Sequence, residues 1–142
     1  ALKDEYVMIV KYHYLVSAEI DWSPYSDFVY TFDETKDIAF LYLASDLLIT
    51  DYSSVMFDYS LLKRPMLFFA YDLDNYRENL RGFDFLEEVP GPVSRDTEQL
   101  IKDIKGYSSK EWTGKYRVFA EKYHQFETGT ASRQVLKTLG LE

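Results

Sequence analysis

Five short apolar runs, separated by stretches of helical periodicity, constrain this chain more than any other feature. The runs cover residues 6–10, 27–30, 47–50 and 66–69, with a weaker one at 92–93. They are continuous rather than alternating, the pattern of strands covered on both faces in a parallel sheet. Between them, residues 36–45 set Ile38, Leu41, Tyr42 and Leu43 on one broad helical face. Residues 54–62 are apolar nearly all round, which predicts a buried helix. Residues 75–80 read as a short helix, and Thr97 is placed to cap a helix over 98–105 with Leu100, Ile101 and Ile104 inward. Strand and helix in alternation predict a doubly wound α/β layout with a parallel sheet. After Gly106 the character changes to a polar, aromatic helix over 109–125, carrying Trp112, Tyr116, Phe119 and Tyr123, and a last helix over 130–139. The expected organisation is one domain, 1–142, with a helical tail over 107–142.

In such sheets ligands sit beyond the carboxyl ends of the strands. The third run ends there as Thr50-Asp51-Tyr52-Ser53-Ser54 and opens straight into the helix that carries Asp58. The first amides of a helix lack intrahelical partners and favour an anion, and two serine hydroxyls add donors at the same place. A phosphate or pyrophosphate is the natural guest. Ser53 and Ser54 have a plainer use as helix caps, and Asp51 or Ser53 would serve as N-cap. Asp51 has two possible uses, capping the helix or accepting a bond from a ligand hydroxyl. Asp58 lies one turn beyond Ser54; its plainer use is a buried carboxylate tied to a backbone group or to Arg64.

His13 follows the first run beside Lys11, so a second polar site is expected on the same rim. An imidazole there can stabilise charge growing on a leaving phosphate. Tyr71-Asp72 follows the fourth run and joins that rim. Arg81 either neutralises a phosphate or pairs with a nearby acid. His124 lies in a polar helix and is expected to be solvated. Carboxylates are plentiful, but none has metal-ligand spacing with a histidine.

The formal charge of −8 argues against a nucleic-acid partner and against this segment lying on anionic lipid. There is no cysteine, so neither a disulfide nor a thiolate metal site can form. The 13 Tyr and 10 Phe suit a dense core and a site that stacks a flat ring. The sequence shows no signal peptide and no long apolar run. It opens without Met and almost directly on a strand, which reads as a piece of a longer protein.

The string Thr50-Asp51-Tyr52-Ser53-Ser54-x-x-x-Asp58-Tyr59, followed by Lys63-Arg64-Pro65, Tyr71-Asp72, Arg81-Gly82-Phe83 and Pro90-Gly91-Pro92, resembles the CDP-glycerol glycerophosphotransferases of teichoic acid synthesis and their ribitol relatives. Lys11-Tyr12-His13-Tyr14-Leu15 is similar to the Arg-x-His-Tyr-Leu motif of that family, with Lys in place of Arg. Residues 126–132 resemble the end of the same domain, with Glu127-Thr128-Gly129 where Asp-Gly is common. The resemblance implies the Rossmann-like, carboxyl-terminal half of a GT-B fold, binding the nucleotide donor. It implies transfer of glycerol phosphate from CDP-glycerol to a growing teichoic acid polymer, with release of CMP and without a metal ion or other cofactor. His13 matches the family's second histidine, acting at the pyrophosphate and leaving group. Ser53 and Ser54 match positions at the donor pyrophosphate, with Lys11, Thr50, Asp51, Asp58 and Arg81 as further substrate contacts. The acceptor polymer and the family's first histidine belong to an amino-terminal domain. The resemblance places the full protein in the cytoplasm, peripheral on the inner face of the plasma membrane, with the membrane contact outside this segment.

Two rivals stand beside this reading. One is a GT-B transferase using CDP-ribitol or a nucleotide sugar. The other is a flavodoxin-like receiver or interaction module with Asp51 as phospho-acceptor. A receiver needs an acidic pair after its first strand, where this chain has Tyr12-His13-Tyr14.

Overall fold

Every strand pairing among the described residues is parallel, as continuous apolar runs joined by helices require. The computed structural model describes residues 1–13, 20–33, 35–77, 85–107 and 109–141. Its contacts divide into two units, Ala1–Ser45 and Asp46–Glu142.

In the first unit, β1 (Met8–Val10) pairs with β2 (Val29–Thr31) in the register Met8↔Val29 to Val10↔Thr31. A 3-10 turn at Ser23–Tyr25 precedes β2. Helix α1 (Ile38–Ala44) starts at Asp37, whose carboxylate accepts the Ala39 amide at 2.9 Å. This satisfies one of the orphan donors of the first turn. Leu43, expected inward, is exposed, and Val29 is the one buried residue among those described here.

The second unit holds β3 (Leu48–Thr50), α2 (Val55–Ser60), β4 (Met66–Phe69), α3 (Leu73–Arg77), α4 (Phe85–Glu88), β5 (Val93–Ser94), α5 (Thr97–Gly106), α6 (Ser109–Tyr123) and α7 (Ala131–Thr138). Its sheet has the order β3-β4-β5. The central strand carries Met66, Leu67 and Phe68, all buried, so β4 has the two-sided cover predicted for every strand. The other strands are partly open. Continuous apolarity marks a strand but does not tell a central one from an edge one. Among the described residues the first unit has a two-stranded parallel sheet and the second a three-stranded one; alternation of strand and helix dictates parallel direction, not which strands are neighbours.

Helix α5 packs on β4 and β5 through Ile104 and is capped by Asp96, whose carboxylate accepts the Gln99 amide at 2.8 Å. Asp96 therefore takes the capping role expected of Thr97, because its extended backbone turns the side chain onto the third amide of the helix. Helix α2 buries Met56, Tyr59 and Ser60 but leaves Asp58 and Leu61 exposed, so it is covered on one face rather than all round. It packs on α6, where Phe57 stacks on Phe119 at 5.5 Å and meets Tyr123 edge-on at 5.0 Å. Tyr116 of α6 donates to the Arg64 carbonyl at 2.6 Å, and Tyr123 and Lys122 both bond the Glu88 carboxylate. The aromatic residues of the tail thus seal α2 and α4.

The Pro90-Gly91-Pro92 string has a steric reason. A Cβ on Gly91 would lie 1.9 Å from the Met66 carbonyl oxygen, and the neighbouring Pro92 carbonyl accepts the Phe68 amide at 2.8 Å. Only glycine lets this turn approach β4 closely enough to start the β5 ladder. Helix α7 buries no residue, and Val135 and Leu139 are exposed.

Candidate functional site

The Thr50-to-Asp58 stretch folds as strand, turn and helix. Thr50 ends β3, residues 51–54 form the turn, and α2 begins at Val55. β3 and β4 run in register through Thr50↔Phe68, so the turns after both strands leave the same edge of the sheet. Asp51 braces the first turn: its Oδ1 accepts the Ser53 amide at 3.1 Å, the two-residue Asx pattern. Its carboxylate is thereby occupied locally. The capping reading of Ser53 and Ser54 is only weakly met. Ser54 is the N-cap residue, yet its backbone is helical and its side chain makes no capping bond. The Ser53 hydroxyl lies 3.5 Å from the Val55 amide, a long contact. Ser54 is exposed and Ser53 half-buried, so hydroxyls stand at the edge of the sheet with little capping work to do.

Helix α2 is six residues long, so its macrodipole adds little, and any anion affinity here rests on hydroxyls and turn amides. Asp58 is exposed rather than buried, and the plain reading that tied it to Arg64 is not met. Arg64 instead sits beside the Tyr59 hydroxyl. Burial raises the pKa of that hydroxyl from 10.0 to about 12, with Arg64 pulling it the other way.

Tyr52 is the residue that sequence reasoning passed over. Its hydroxyl donates to Asp72 Oδ1 at 3.0 Å, and its ring lies 4.9 Å from that of Phe85, a wholly buried side chain that also meets Phe68 of β4 edge-on at 5.5 Å. The only signal for it was its place inside the motif. His124 was expected in solvent and is instead half-buried, with Nε2 2.6 Å from Ser60 Oγ.

His13 and Lys11 belong to the first unit. Both are exposed just past β1, and the Lys11 ammonium donates to the Tyr12 carbonyl at 3.3 Å. Arg81 lies outside the described residues. Two open depressions of about 510 and 540 Å³ occur in the first unit, lined among others by Ile9, Phe32 and Lys36. Neither takes in an expected site residue. No group of three or more His, Asp or Glu able to hold a metal ion occurs among the described residues.

In parallel α/β sheets ligands bind beyond the carboxyl ends of the strands, where this turn and its exposed Ser54 stand. The CDP-glycerol:poly(glycerophosphate) glycerophosphotransferase family model matches residues 1–141, and the chain belongs to that family. It is 46% identical over 142 residues to the teichoic acid poly(glycerol phosphate) polymerase of Bacillus subtilis (strain 168), covering 97% of this chain and 19% of the relative. It is 46% identical over 107 residues to the teichoic acid poly(ribitol-phosphate) polymerase of Bacillus spizizenii (strain ATCC 23059 / NRRL B-14472 / W23), covering 73% of this chain and 17% of that protein. A structure of a variant of the wall teichoic acid polymerase TagF, soaked with CDPG, superposes with a TM-score of 0.83 at 38% identity, covering 96% of this chain and 35% of that one. The chain therefore spans about a sixth to a third of the length of these relatives.

Proposed function

We propose that this chain is the donor-binding part of a glycerophosphotransferase that takes CDP-glycerol and passes glycerol phosphate to the end of a growing teichoic acid polymer. The observation that carries this reading is the family match across residues 1–141 together with a motif turn whose Ser54 hydroxyl is exposed and not used for capping. Ser53, Ser54 and the turn amides hold the pyrophosphate oxygens, with Thr50 at the strand end and Lys11 and Arg81 supplying positive charge. Asp51 holds the turn in shape, and Asp58 faces the donor from the exposed side of α2.

In the reaction, an acceptor hydroxyl oxygen bonds to the phosphorus that carries glycerol. The bond from that phosphorus to the bridging oxygen breaks, and CMP leaves. His13 stabilises or protonates the departing phosphate oxygen. The acceptor and the base that receives its hydroxyl proton belong to an amino-terminal domain outside this chain. Residues 1–142 act as one donor domain, the carboxyl-terminal half of a GT-B enzyme on the cytoplasmic face of the membrane. No helix among the described residues is long and apolar enough to cross a membrane.

The test is a titration of the chain with CDP-glycerol followed by amide and imidazole NMR. Shifts at Ser53, Ser54 and His13, without turnover, are expected. Silence at all three positions overturns the reading. CDP-ribitol forms the second reading, favoured by the 46% identity to a ribitol-phosphate polymerase. Parallel titrations with CDP-ribitol and a UDP-sugar rank the donors.

A further inference from the structure

We infer that Tyr52 is a positioning residue, clamping the donor-binding turn to the neighbouring strand-end turn through Asp72. This rests on the function proposed above and deepens it. The two turns leave adjacent parallel strands at the same edge, with Thr50 opposite Phe68. Each is held internally. In the first, Asp51 Oδ1 takes the Ser53 amide at 3.1 Å. In the second, the Ala70 and Asp72 carbonyls take the Leu73 and Asn75 amides at 3.3 and 3.0 Å. Between them runs the Tyr52 hydroxyl bond to Asp72 Oδ1, at 3.0 Å.

The ring of Tyr52 is anchored independently of its hydroxyl. It packs at 4.9 Å on Phe85, whose exposure is 1%, and Phe85 packs on Phe68 of the central strand. The clamp therefore ties the turn to the best-packed part of the sheet, not merely to another loop. It also fixes the orientation of a carboxylate that shares the edge with the two serines, occupying one of its oxygens without cancelling its charge. Asp51 is treated the same way by the Ser53 amide. Asp51 and Asp72 are thus each engaged within the chain, and both engagements hold the serine-bearing turn, while Asp58 stays exposed.

The experiment compares the chain with Tyr52→Phe, Asp72→Asn, Asp72→Ala and the Tyr52→Phe/Asp72→Ala pair. It reads CDP-glycerol Kd by titration, and hydrogen exchange at the Ser53 amide without ligand. Tyr52→Phe keeps the ring contact and removes only the donor. It is expected to weaken binding about tenfold and to speed Ser53 exchange, the size a hydrogen bond to a charged group carries. Asp72→Asn keeps an acceptor oxygen and stays within about twofold of the parent, while Asp72→Ala matches Tyr52→Phe. The double variant is no worse than either single one, because both remove the same bond. A Tyr52→Phe chain that binds and exchanges like the parent overturns the inference, as does Asp72→Asn behaving like Asp72→Ala. If the parent itself does not respond to CDP-glycerol, the proposed function fails. Ser53 exchange then decides the clamp alone: faster exchange in Tyr52→Phe upholds it, unchanged exchange sinks it.

Discussion

Ser60 Oγ and His124 Nε2 lie 2.6 Å apart, joining α2 to the end of α6 across sixty-four positions of sequence. Ser60 is 5% exposed, and its hydroxyl also lies 2.7 Å from the Phe57 carbonyl, which can only accept. A serine hydroxyl has one hydrogen, and the carbonyl claims it. His124 must then be the donor, with its proton on Nε2. Nitrogen NMR of the His124 ring is expected to show that tautomer. Replacing His124 by Ala removes this bond and an edge-on contact with Phe119 at 5.9 Å. The expected cost is about 1–2 kcal/mol in urea unfolding, with a coupling to Ser60→Ala of about 1 kcal/mol in a double-mutant cycle. An additive cycle contradicts it.

Gly91→Ala sets a methyl 1.9 Å from the Met66 carbonyl oxygen, and the obstacle is backbone of the central strand, which has nowhere to move. The expected loss is about 3 kcal/mol, seen as a lower urea midpoint. A midpoint within error of the parent shows that the turn can retreat without losing the β4–β5 ladder.

Lys63 stands at φ 56 in the turn that ends α2. A side chain there crowds the following carbonyl, and glycine does not. Lys63→Gly is expected to gain about 0.5–1 kcal/mol in thermal unfolding, net of the added freedom of the unfolded chain. A loss instead means that the lysine side chain does more than occupy the position.

Tyr59 is wholly buried, and its hydroxyl holds its proton to about 12 instead of the usual 10.0. The unfolded chain gives up that proton first, near 10, so unfolding is favoured as pH rises. The stabilisation is complete below pH 10 and drains away as pH climbs from 10 to about 12. Its size is on the order of 2–3 kcal/mol at most. Urea midpoints for Tyr59→Phe should fall less over that window than those of the parent, and an identical fall excludes Tyr59 as a contributor.

Ser54→Ala separates ligand contact from helix capping. Because Ser54 makes no side-chain capping bond, the substitution is expected to leave the melting temperature unchanged while weakening CDP-glycerol binding roughly three- to tenfold. Asp51→Ala should lower both, since it strips the bond to the Ser53 amide. Loss of stability in Ser54→Ala, with binding intact, returns the residue to a capping role.

Much of the second unit was legible because its signals are local. The run at 66–69 became β4 with its bounds unchanged, and Leu100, Ile101 and Ile104 do line the covered side of α5. The cap was misplaced by one residue, since Asp96 and Thr97 are both acceptable N-caps and backbone geometry chooses between them. The candidate site was legible as a motif but not as a mechanism of support. Nothing in Asp51-Tyr52-Ser53-Ser54 says that Asp51 turns inward to the Ser53 amide, or that Tyr52 reaches twenty residues ahead to Asp72.

What the sequence determined by itself was the class: short continuous apolar runs and helical periodicity make a parallel α/β chain, and an ordered set of motifs makes it a member of the glycerophosphotransferase family. Both follow from patterns within a few residues of one another, where backbone geometry dictates the period. The tertiary structure alone decided that Phe85 backs Tyr52, that His124 meets Ser60, and that Met66 leaves no room beyond a hydrogen at Gly91. Those relations join side chains far apart in the chain, and close packing, which no local period encodes, selects them.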